Sequence, residues 1–334
     1  MMNAAQQAED THAEDVNATA EHAGADQAAG GHGGGGHGEG EFDAGEVIIE
    51  HIANSPLDHP ILHGPHIAGI DFSVTKHVMM LWLVAGFLFI VITLATRRFL
   101  AQERPIPAGF MNALEAVVQF VRDSMVLPNV GAKWVNTWTP LILTLFVFIL
   151  TANAVGLVPM FEVLGLVDKA LLHTSEESLL NSMLHGGATA TANYNVTAAL
   201  ATITFFAIIV AGSMAHGFIT HWKNLVPHGL AWPIYILLIP IEVMGMFVKP
   251  FALTMRLAAN MSGGHIAILA ILSLVFIFNQ QFGSPLLSMG VGAFVGVPLA
   301  TGILALEIIV VLVQAYVFAL LTSVFVGMAI NVHH

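Results

Sequence analysis

"FALTMRLAANMSGGHIAILAILSLVFIFNQQFGSPLL", Phe251 to Leu287, decides how this chain folds. As a helix, Phe251–Phe282 extends ~48 Å, and the apolar run Leu286–Ile330 is longer still, against a hydrocarbon core of ~30 Å. Upright spans do not fit such lengths, so the two segments must tilt, kink or run partly in the membrane plane. Pro240, Pro250 and Pro298 offer kinks, and "GSP" at 283–285 is the strong turn signal between the runs. A long tilted helical hairpin follows, about 232–282 and 286–330. One residue resists this reading: Arg256 has no Asp or Glu within ten positions on either side.

The rest of the composition agrees with a membrane chain. Of 334 residues, 56% are hydrophobic and only 10% charged, whereas soluble domains carry about 25% charged residues. There is no Cys, which excludes disulfides, thiolate metal sites and Cys nucleophiles. The net charge of −12 is concentrated at one end, because 11 of the 22 acids precede residue 51 and the first base is Lys76. No basic surface suits nucleic acid. The N-terminus lacks the basic and apolar regions of a secretory signal, and it is too acidic for a mitochondrial transit peptide, which points to a bacterial product.

Residues 1–45, with "GGHGGGGHGEGE" at 30–41, are expected to be a disordered acidic His/Gly-rich tail. Its histidines supply no fixed geometry for a metal. The membrane domain then runs over 46–334. A short amphipathic helix is expected at "EVIIEHIA" (46–53), and spans at 77–96, 139–157 and 196–219. Asn112–Val126 has helical spacing with Glu115, Arg122 and Asp123 on a separate face, which reads as an interfacial helix. The fold class is therefore all-α and polytopic, with about five membrane helices. Basic loops after the first span (Arg97, Arg98, Arg104, Arg122, Lys133) and after Ile219 (Lys223) belong in the cytoplasm. The N-terminus and the 158–195 loop are then external, and the C-terminus is cytoplasmic.

From 224 to 334 only four Asp, Glu, Lys or Arg occur: Glu242, Lys249, Arg256 and Glu307. The first three are spaced by seven, about 20° short of two full turns, so they share a stripe. Asn260 lies close to it, while His265 points roughly to the opposite side. In an antiparallel hairpin, 256 and 314 centre on residue 285, and 265 and 307 on residue 286, both at the expected turn. Arg256 with Gln314 and His265 with Glu307 are thus the expected pairs. In a soluble core, such a His or Gln is more often structural. In hydrocarbon, where a central charge costs ~2.5–3.5 kcal/mol on insertion scales, ionisable residues usually mark ion paths. Lys249 has the simpler option of snorkelling to an interface. Small residues near Arg256 (Ala258, Ala259, Ser262, Gly263, Gly264) either pack helices of this chain or admit a helix of another subunit that brings the missing acid.

At this point the chain resembles subunit a of the rotary F-type ATP synthase membrane sector. The resemblance rests on "KPFALTMRLAANMSGGHI" (249–266) and "ALEIIVVLVQAYVFALLTSVF" (305–325). "LTLFVFILTANAVGLVP" (143–159), "NYNVT" (193–197) and "LIPIEVMG" (238–245) add weaker support, and the whole covers roughly 46–330. It implies a stator ion channel with two offset half-channels and no bond-making site or cofactor of its own. Its partners would be the c-ring, the peripheral-stalk b subunits and the rest of the complex, in a bacterial inner membrane. By resemblance, Arg256 faces the ring carboxylate; Asn260, His265, Glu307 and Gln314 line the external channel, and Glu242 the cytoplasmic exit. Many bacterial members carry an acid at the position of His265 and a histidine at that of Glu307. Here the two are exchanged, as in mitochondrial-type members. The rival is an independent secondary transporter, for which no internal repeat is visible.

Overall fold

A helix in hydrocarbon satisfies its own backbone, so apolar runs of this length have few alternatives to helix. In the computed structural model the described residues are Gly45, 66–67, 70–71, 75–101, 109–157, 189–223 and 232–331. Nearly all are helical; the exception in kind is a pair of two-residue antiparallel strands, β1 (His66–Ile67) and β2 (Ile70–Asp71). Five helices are long and apolar enough to cross a membrane. The His/Gly tract and the helix expected at 46–53 lie outside the described residues.

Helix α1 (Lys76–Leu100) continues four residues past the expected end, because Arg97 and Arg98 suit the negative end of a helix dipole. Next, α2 (Phe110–Phe120) passes into a π-helical segment, Val121–Val126, and the short α3 (Leu127–Val130). The wider π spiral shifts the backbone register and leaves carbonyls open. Two side chains use one of them: Asn129 Nδ2 and Ser323 Oγ both donate to the Met125 carbonyl, at 2.6 and 2.9 Å. Val121, Met125, Val126 and Val130 are buried here, so this stretch is anchored in the core through its second half.

The second spanning helix in the chain, α4 (Val135–Leu157), begins four residues before the expected Thr139 and carries Pro140 inside. A 3-10 turn (Ala190–Ala192) leads into α5 (Tyr194–His216), whose Asn193 cap accepts from the Asn195 amide. That helix stops three residues before the expected Ile219, because Gly217 takes φ +85°, and α6 (Phe218–Lys223) starts a new direction.

The C-terminal third is the expected hairpin. α7 (Trp232–Phe282) is helical through Pro240 and Pro250. Gly283 at φ +59° and extended Ser284 make the turn; α8 (Pro285–Val291), a π segment (Gly292–Gly296) and α9 (Val297–Ile330) return. At 51 residues, α7 is ~77 Å long and cannot stand upright in one bilayer core. The core lies where α4, α5, α7 and α9 meet, around Ile142, Ile149, Leu257, Met261 and Phe318. Thr204 and Thr322 add a buried hydroxyl contact between α5 and α9 at 3.1 Å.

The far end of α9 is fastened twice. His216 Nε2 lies 2.8 Å from the Ile330 carbonyl, which accepts. Gly327 rides on the Asn129 carbonyl so closely that a Cβ there would collide with backbone. Gly327→Ala should therefore destabilise this junction by about 1–3 kcal/mol, seen as a lower midpoint of thermal inactivation; an unchanged midpoint would contradict the packing described. Nearby, buried His221 abuts Gly212, and burial, then His216, holds its imidazole below the usual range. Its folded value lies below the unfolded one of about 6.5, so neutral His221 contributes its full stability above that pH. The contribution is lost as pH falls from about 6.5 toward the folded value. Hydrogen exchange across 216–223, corrected for intrinsic rates, should rise on acidification below about pH 6.5, and His221→Gln should flatten that response.

Candidate functional site

The polar side chains of α7 divide by face. Glu242 and Lys249 are half-buried and Arg256 is exposed. The Lys249 ammonium stands 5.5 Å from the Phe325 ring centroid, a cation–π distance that shields it within the chain. Arg256 has no ion pair or hydrogen bond among the described residues. Around it the surface is mostly apolar or small: Phe251, Met255, Ala259 and Gly263 are exposed with it, as is Asn260 one turn on. The small-residue cluster thus splits. Ala258 and Ser262 are buried and pack within the chain, whereas Ala259 and Gly263 open the face beside the guanidinium.

Of the two pairs expected across the hairpin, one forms. His265 Nε2 lies 3.9 Å from Glu307 Oε1, and Glu307 is only 2% exposed. Gly264 makes room for it, since a Cβ there would sit 2.6 Å from the same carboxylate oxygen. Neither carboxylate oxygen has a hydrogen-bond partner among the described residues.

The pairing of Arg256 with Gln314 is corrected. Gln314 is buried and accepts from Asn260 Nδ2 at 2.9 Å. With His265 level with Glu307, Gln314 lies level with buried Ala258, midway between 256 and 260. Axial register alone cannot choose between them. Arg256 turns outward, and the Asn260 amide reaches across instead.

Thr189, Thr191 and Asn153 join this region without having been singled out by the sequence. Thr189 Oγ1 is 2.7 Å from His265 Nε2, on the nitrogen that also faces Glu307. Thr191 donates to Asn153 Oδ1 on α4 at 2.5 Å, and Ser262 donates to the Ala192 carbonyl at 3.1 Å. Asn153 had a visible signal, a lone amide in an apolar span. Thr189 had none, because it is 76 positions from the histidine it touches.

The result is a polar track that runs from exposed Asn260 through half-buried His265 to buried Gln314, Glu307 and Thr189, beside an exposed cation. Asn260 and Gln314 form one step, His265 and Glu307 the next, and the 189–192 turn the third. The imidazole and the carboxylate face each other at 3.9 Å, beyond hydrogen-bond reach, so a small side-chain movement is needed before a proton can pass between them. Glu242 stands apart, ~21 Å from Arg256 along α7. No group of three His, Asp or Glu converges as a metal site among the described residues.

Comparison with known proteins gives this arrangement a family. The chain is 38% identical over 293 residues to ATP synthase subunit a 2 of Prosthecochloris aestuarii, covering 86% of this chain and 79% of that protein. Identity to ATP synthase subunit a 2 of Chlorobium luteolum is 37% over 296 residues, covering 86% and 76%. For ATP synthase subunit a of Anaeromyxobacter dehalogenans it is 38% over 269 residues, with 79% and 60% covered. Residues 78–327, which include Arg256, the whole polar track and all but the last three residues of the hairpin, match the ATP synthase A chain family, and the chain belongs to it.

Proposed function

We propose that this chain is the stator channel subunit of an ATP synthase, passing ions between two offset half-channels and the carboxylates of a rotating c-ring. Membership of the ATP synthase A chain family supports the role in that complex and does not favour an independent transporter. The observation that carries the mechanism is Arg256, exposed and unpaired on a largely small and apolar face, with half-buried His265 facing buried Glu307 further along the hairpin. A cation placed so favours the ionised form of any carboxylate that comes opposite it, because an opposite charge within a few ångströms lowers an acid's pKa. The same cation repels a proton or hydronium moving directly past it. Each arriving carboxylate therefore loses its proton on one side and must travel round before regaining one.

The external path runs through Glu307, His265, Asn260 and Gln314, and Glu242 serves the cytoplasmic exit. The ring and the peripheral-stalk b subunits are its partners. The chain is multi-pass, in a bacterial inner membrane, with an external N-terminus and a cytoplasmic C-terminus; α2 lies at the interface.

Replacing Arg256 by Ala should abolish ATP-driven ion pumping in reconstituted complex while assembly persists; normal pumping would remove the role assigned to it. Gly264→Ala pushes the Glu307 carboxylate aside without altering any polar group. It should slow pumping about tenfold or more, as misplacement by an ångström does at other reacting centres, with the complex intact. An unaltered rate in that variant would take Glu307 off the path.

A further inference from the structure

Building on the channel reading above, we propose that Thr189 is a positioning residue of the external path: its hydroxyl holds Nε2 of His265 and so sets when that imidazole engages Glu307. Thr189 is fully buried, and its Oγ1 is 2.7 Å from Nε2. Glu307 Oε1 stands 3.9 Å from that same nitrogen, too far for a hydrogen bond. A ring nitrogen offers either one lone pair or one N–H. If Nε2 is bare, the threonine hydroxyl donates to it; if it carries hydrogen, the hydroxyl accepts. In both cases Thr189 occupies the site that Glu307 would need. The carboxylate, with no partner on either oxygen among the described residues, waits beyond reach. Protonating the imidazole strengthens its pull on the carboxylate, and a small ring movement transfers the N–H from hydroxyl to carboxylate. The hydroxyl is thus one of two competing acceptors for a single donor.

Independent contacts show that Thr189 is held where this competition requires. Thr191, two residues on, is tied to Asn153 of α4, and the Ala192 carbonyl is tied to Ser262 of α7. The Ala192 amide donates back to the Thr189 carbonyl at 2.9 Å. On the remaining side Gly156 of α4 touches Thr189 so closely that a Cβ would overlap its Oγ1 and Cβ. Two helices and the turn therefore fix one hydroxyl against one imidazole.

Few other titratable groups belong to the surrounding elements. The turn and α4 carry none; α9 brings Glu307 and, nine residues on, Tyr316 beside Phe120. On α5 there are exposed Tyr194 at its start and His216, bonded to Ile330 at its end. On α1, which packs against the same turn, there are Lys76 and buried His77 at its start and Arg97 and Arg98 in its last turn.

The test uses the whole complex in liposomes, reading the pH dependence of ATP-driven proton pumping with the Glu307 side of the membrane varied. Thr189→Val keeps the shape and removes the hydroxyl. It should lower the rate about fivefold, the effect of one lost hydrogen bond, and displace the pH profile. Thr189→Ser should restore both. Gly156→Ala, which drives Thr189 off its position from the opposite side, should displace the profile as Thr189→Val does. A wild-type profile in Thr189→Val overturns the proposal, as does a Thr189→Ser profile displaced equally. The Arg256→Ala measurement decides the channel reading separately. Pumping retained there removes the premise, whereas pumping lost there with an undisplaced Thr189→Val profile defeats only the role of Thr189.

Discussion

A guanidinium in hydrocarbon must be answered by negative charge or water, and Arg256 finds no such partner among the described residues of its own chain. Several other polar groups of the membrane region have internal answers, although the buried Glu307 carboxylate faces His265 without a hydrogen bond of its own. Lys249 lies over Phe325, Gln314 takes the Asn260 amide, and Thr204 meets Thr322. Arg256 is left on a surface of small and apolar side chains. That asymmetry gives the hairpin a closed inner side and an unfinished outer one. The energetic penalty of the bare cation is tolerable only if a counter-charge is supplied from elsewhere, which ties the chain to an assembly.

The inner side depends on close approach. Gly264 lets Glu307 lie between α7 and α9, and Gly156 lets Thr189 reach His265 from α4. Around these contacts the π-helical segments act as adjusters. The one at 121–126 opens the Met125 carbonyl to Ser323, which locks α9 against the α2–α3 stretch. The other, at 292–296, follows the turn, where Gly292 lies against Val275 of α7. The long helices are thus held in register at both ends, with the polar track between them.

Much of this was legible before any coordinates. Length against bilayer thickness dictated the hairpin, and "GSP" located its turn to the residue. The facing of His265 and Glu307 followed from counting outward from that turn. What sequence could not resolve was reach. Gln314 lies level with Ala258, so Arg256 and Asn260 were equally placed along the axis, and only the outward rotation of the arginine separates them. The contribution of the 189–192 turn was out of view for a different reason. It is a short polar segment in a loop, and no periodicity connects a loop residue to a helix 76 positions away. The break at Gly217 shows the same limit: hydropathy ran on to Ile219, while the backbone turned where glycine allowed a positive φ.

The two glycines on the track have a bearing on how such a chain should be surveyed. Alanine scanning treats a residue as a set of atoms to delete, and ranks positions by what their removal costs. At Gly156 and Gly264 alanine is an addition, and the vacancy it fills is what lets Thr189 and Glu307 stand where they do. A map of this polar track built only from its polar side chains would omit the positions that set where those side chains stand. Sequence drift at either glycine would displace Thr189 or Glu307 while leaving every ionisable residue unchanged.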